Sequence, residues 1–76
     1  MTKKYEVDAR EPKEILKSEI FLNASMIRRI LNCTYNNALK IINEGLQLEE
    51  SNKLYVNKHQ RQKQIRVTTF KEMTNL

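Results

Sequence analysis

Cysteine, histidine, glycine and proline each occur once in these 76 residues, and tryptophan is absent. A single cysteine, Cys33, excludes an intramolecular disulfide, and one Cys with one His (His59) cannot furnish the four-ligand cage of a structural zinc site. A single glycine, Gly45, leaves no Gly-rich loop to cradle a phosphate. There is no Ser/His/Asp set, and the nine carboxylates are scattered, so the sequence reads as a protein that is not an enzyme and needs no cofactor. No apolar run approaches the roughly 20 residues of a membrane span, and Met1-Thr2-Lys3-Lys4-Tyr5-Glu6 lacks the apolar stretch of a signal peptide. The expected location is therefore the cytoplasm, whose reducing milieu suits a lone cysteine.

A chain this short buries only about 60% of the surface its unfolded form exposes. The core must be small and built from Ile, Leu, Val, Phe and Met. Ile15, Leu16, Phe21, Ile27, Ile30, Leu31, Ile41, Ile42, Leu54, Val67 and Phe70 are the expected members. Charge is unevenly spread. Residues 1–57 carry nine Lys/Arg against eight Asp/Glu, whereas residues 58–76 carry five against Glu72 alone. A basic C-terminal third on a near-neutral body is either a footprint for a polyanion or a solvated basic stretch.

Residues 1–11 hold few apolar groups and are expected to form a flexible arm; residues 12–76 are expected to form one domain. Pro12 suits the first turn of a helix, where its missing N–H costs nothing, and Ile15, Leu16 and Ile20 support a short helix over about 12–19. Ile20-Phe21-Leu22 is an apolar run compatible with extended chain. Asn23 is a natural N-cap, and Met26, Ile27, Ile30 and Leu31 share one face of a helix over 24–31. Asn32 tolerates the left-handed conformation that ends helices, and Thr34 can cap a second helix from Tyr35, with Ala38, Ile41 and Ile42 facing inward. Gly45 weakens that helix, which either stops there or runs on to about Glu50. Leu54-Tyr55-Val56 and Ile65-Arg66-Val67 have strand-forming composition and suggest a hairpin with a basic tip; the alternative is a polar helix over 57–64. Thr68 is the expected cap of a short C-terminal helix holding Phe70 and Met73.

Two short helices separated by Asn32-Cys33-Thr34, with a capping hydroxyl opening the second, describe a helix-turn-helix. The string Arg29-Ile30-Leu31-Asn32-Cys33-Thr34-Tyr35-Asn36-Asn37-Ala38-Leu39-Lys40-Ile41-Ile42 resembles the "xLLGVSxxTVYRLI" signature of excisionase-like and MerR-like winged helix-turn-helix proteins. Asn32 stands where that pattern has Gly, Cys33 where it has Val or Cys, and Thr34 where it has Ser. Residues 65–73 are similar to the family's closing "RVPxxxFEEF", with Thr68 in place of Pro. The resemblance covers roughly residues 20–75. It implies a mainly α fold with a small β-hairpin, a winged helix-turn-helix, in a DNA-binding protein of a phage, plasmid or integrative element. Such proteins bend attachment-site DNA and recruit a cognate integrase as recombination directionality factors, or act as small transcriptional regulators. MerR-like regulators carry a long dimerisation helix behind this domain, for which the sequence has no room, so the excisionase side is expected.

In that arrangement Tyr35, Asn36, Asn37, Lys40 and Asn43 would face the major groove, where Asn pairs with adenine and Lys reaches guanine or phosphate. Arg28 and Arg29 would bind phosphate. Lys58, His59, Arg61, Lys63 and Arg66 would form a basic wing, with no metal or catalytic role for His59. The alternative for each is a solvated polar surface, and Cys33 reads as a small buried hydrophobe rather than a nucleophile. The expected partners are double-stranded DNA, an integrase and further copies binding cooperatively on DNA, with no membrane. The rival from another class is a protein-interaction module, such as a phage-encoded inhibitor, docking on a host partner through Ile20-Phe21-Leu22 and the N-terminal helix.

Overall fold

The computed structural model describes residues 7–54 and 63–75. They form a mainly helical domain with a small two-stranded antiparallel sheet: α1 (Pro12–Ser18), β1 (Phe21–Leu22), α2 (Ala24–Leu31), α3 (Tyr35–Ser51), β2 (Ile65–Arg66) and α4 (Val67–Thr74). Residues 55–56 and the tip of the expected hairpin, with Lys58, His59 and Arg61, lie outside the described residues.

Local chemistry accounts for the helix ends. Pro12 opens α1, and the chain leaves it at Glu19, whose N–H still donates to the Ile15 carbonyl at 3.0 Å. The Asn23 side chain accepts the Met26 N–H at 3.0 Å and starts α2. Asn32 then takes φ 52°, the left-handed stop for which Asn is better suited than most residues. Two residues later, Thr34 Oγ1 accepts the Asn37 N–H at 3.2 Å and starts α3. At the far end, Lys53 is left-handed at φ 61°, and the Leu54 N–H turns back to the Glu49 carbonyl at 2.9 Å.

α3 runs unbroken through Gly45 to Ser51. A β-carbon on Gly45 would lie 2.8 Å from Ile65 Cδ1, 2.9 Å from Ile65 Cγ2 and 3.2 Å from the Met73 sulfur. The missing side chain is the space that β2 and α4 occupy against α3. That burial outweighs the roughly 1 kcal/mol that glycine costs a helix interior.

Among the described residues the sheet pairs Ile65–Arg66 with β1, Phe21 opposite Arg66 and Leu22 opposite Ile65. Strand composition alone does not single out this long-range contact, and the expected pairing with residues 54–56 falls largely outside the described residues. The Val67 N–H extends the ladder to the Ile20 carbonyl at 2.9 Å, yet Val67 is already the first residue of α4. Thr68 is therefore not the cap of that helix. Arg66 holds the N-cap position, without a side-chain cap bond, and Thr68 is exposed in the first turn.

Ile15, Leu22, Ile27, Ile42, Ile65 and Phe70 form the fully buried core, with Ala24, Ala38 and Val67. Leu16, Ile30, Leu31, Cys33 and Ile41 pack partly buried against it. Two expected members are outside. Successive strand residues point to opposite faces, so burying Leu22 turns Phe21 outward, 38% exposed; Leu54 lies beyond the end of α3, 40% exposed.

Candidate nucleic-acid interface

The turn between α2 and α3 is held from three directions. Besides the Thr34 cap, the Arg28 Nε donates to the Cys33 carbonyl at 3.2 Å, and the Ala38 N–H donates to the Thr34 carbonyl at 3.0 Å. Cys33, half-buried between the two helices, has its thiol pushed above the ordinary range by burial, an effect the nearby Arg28 charge partly offsets.

α3 has two opposite faces. Ala38, Ile42, Gly45 and Glu49 recur at the helical period and are buried. On the other side Asn36, Lys40, Asn43 and Gln47 fall in one exposed stripe, about 60° wide at roughly 100° per residue. Asn37, also exposed, flanks the stripe. Tyr35 is half-buried and packs against the core. Thus four of the five residues expected to face a groove stand in solvent on the first three turns of one helix, and the fifth is divided between core and surface.

Lys63 comes to the same place from the far end of the chain. It is exposed, and its Nζ lies 3.4 Å from the Asn43 Oδ1. A cation expected in the wing and an amide expected in the recognition helix are therefore neighbours.

Other basic residues are occupied structurally. Arg29 donates from Nε to the Arg10 carbonyl at 2.8 Å and reaches Glu11 from Nη2 at 3.4 Å. Arg10 is in turn bridged to Asp8 and Glu19, both at 2.8 Å, and the Asp8 N–H donates to the Ser25 carbonyl at 3.3 Å. Those contacts tie residues 8–11 of the expected arm to α1 and α2. The hydrogen bonds from Arg10 hold the Asp8 carboxyl below the usual carboxylate range.

Arg66 is bound most closely of all. Its Nη1 lies 2.7 Å from Glu49 Oε1, its backbone N–H donates to Glu49 Oε2 at 2.8 Å, and its guanidinium sits 5.6 Å from the Phe21 ring centroid. Glu49 is only 2% exposed. It was not among the residues singled out by sequence. The available signal was its place on the buried stripe of α3, four residues after Gly45: an acid on an apolar face needs a partner.

No family model, curated protein or solved structure matches this chain. Among the described residues, no group of three or more His, Cys, Asp or Glu side chains could hold a metal ion, and no helix is long and apolar enough to cross a membrane.

Proposed function

We propose that this chain is a sequence-specific double-stranded-DNA-binding protein of the winged helix-turn-helix kind, with α2 and α3 as its two helices and α3 entering the major groove. One observation carries the reading: Asn36, Lys40 and Asn43 form an exposed hydrogen-bonding stripe opposite the buried face of α3, with Lys63 beside it. Amides on a groove helix suit adenine, and an ammonium suits guanine or phosphate. In this reading Arg28 and Arg29 contact phosphate.

The role that fits best is that of an excisionase-like recombination directionality factor, cytoplasmic, bending its site and cooperating with an integrase. A small transcriptional regulator is the alternative, which a DNA-bending assay and an integrase pull-down separate. The test of DNA binding is selection from a random duplex pool, followed by titrations across a salt series. An enriched sequence is expected, and Lys40→Ala should weaken binding to it more than binding to unrelated duplex. No enrichment, with no shift of any duplex at low salt, overturns the reading.

The exposure of Ile20, 74%, beside Phe21 favours a second reading in which the β1 edge docks a protein. Partner binding that survives high salt would support it, because phosphate contacts weaken steeply as salt rises.

A further inference from the structure

The geometry points to Glu49 as a positioning residue for DNA contact: through Arg66 it fixes the residues entering β2 so that Lys63 stands beside Asn43 on the groove face of α3. This inference rests on the DNA-binding reading above.

A buried carboxylate is costly unless paired and hydrogen-bonded, and a buried ion pair is weak evidence of added stability; on this proposal the role of Glu49 lies in the arrangement it specifies. Both oxygens of Glu49 go to one residue. Oε2 accepts the Arg66 backbone N–H and Oε1 the Arg66 guanidinium. A carboxylate bound only to a side chain would tolerate sliding of β2 along α3. One that also holds the main-chain N–H fixes the register.

Two further contacts make that register specific. Ile65 fills the space over Gly45, one turn back along α3, and Arg66 lies over Phe21 on β1. With residues 65 and 66 set by Gly45 and Glu49, Lys63 has only two residues of freedom from a fixed point, and its Nζ meets Asn43. The pair Glu49–Arg66 lies on the flank of α3 away from the stripe, so it acts on DNA through Lys63 and not by contact. Arg66, expected from sequence to be a wing contact, is on this account a strut.

The experiment measures the dependence of DNA affinity on salt, using the full chain and the duplex enriched by selection. Lys63→Ala should lower the slope of log affinity against log salt by about 0.9, the loss of one phosphate contact. Glu49→Gln should lower it equally, and the double variant should match Lys63→Ala alone. A merely structural defect reduces the folded fraction, seen by circular dichroism, and lowers affinity without changing the slope. If Glu49→Gln does not fold, Glu49→Asp carries the test; it keeps the charge but is one methylene too short to hold both the main-chain N–H and the guanidinium of Arg66, and the same slope change is expected. A folded variant with the wild-type slope, or slope losses from Glu49→Gln and Lys63→Ala that add, overturns the inference. In either case loss of binding in Asn36→Ala and Lys40→Ala leaves the DNA reading standing, whereas no binding by the wild type removes that reading itself.

Discussion

Ile65 occupies the position where a side chain on Gly45 would begin, with its Cδ1 2.8 Å from that point. Alanine at this position gains about 1 kcal/mol of helix propensity but must displace a fully buried isoleucine, and overpacking of this kind costs about 1–3 kcal/mol. Packing wins. Gly45→Ala is expected to destabilise the domain by about 1 kcal/mol and Gly45→Val by more, measured by urea unfolding. A more stable Gly45→Ala would show that Ile65 and Met73 move aside freely.

Asn32 bears the left-handed conformation at φ 52° without being glycine. That conformation costs a non-glycine residue about 1–2 kcal/mol, less for asparagine. Asn32→Gly should therefore leave stability unchanged or raise it by up to about 1 kcal/mol. A β-branched substitute, Asn32→Val, should lower it by at least about 1 kcal/mol. The two midpoints moving together would contradict the strain argument.

Asp8 contributes to stability in a pH-dependent way. Its folded pKa is depressed, chiefly by the hydrogen bonds from Arg10. A depressed carboxylate stabilises above its ordinary unfolded value, near 4, and the contribution disappears as pH falls through the lowered folded value. Wild type and Asp8→Asn should differ in thermal midpoint at about pH 6 and converge by about pH 2. A difference that persists undiminished in acid would mean that the ion pair is not its source.

Cys33 should react slowly. Burial raises its thiol above the ordinary range, which lowers the thiolate fraction at neutral pH. Iodoacetamide should modify native protein more slowly than a small free thiol at about pH 7.5, and unfolding in urea should abolish the difference. Rapid modification of the native protein at neutral pH would overturn this account of the turn.

Much of the helical part was legible because its determinants are local. Asn23, Asn32 and Thr34 each act on backbone within four residues, and each does what its side-chain chemistry predicts. The exposed stripe of α3 was legible for the same reason, since helical period alone separates Asn36 and Lys40 from Ala38 and Ile42. The sheet was not. Strand composition marked residues 65–66, but nothing local distinguishes Phe21–Leu22 as their partner, and pairing across that distance is settled by what packs over Gly45 and Glu49. The pairing of Arg66 with Glu49 was not legible either, because a cation in a basic segment looks alike whether it meets phosphate or a buried carboxylate. Thr68 shows the limit of capping rules: a good capping residue loses the position when strand pairing through Val67 starts the helix earlier.

The pairing of β1 with β2 also sets an order of assembly. α2 and α3 are complete in sequence by Ser51, but the surfaces around Leu22 and Gly45 are covered only when residues 65–70 arrive. A chain emerging from the ribosome thus carries the exposed stripe of Asn36, Lys40 and Asn43 before it can close its core. Until Ile65, Val67 and Phe70 are in place, the two helices are a hinge without its pin.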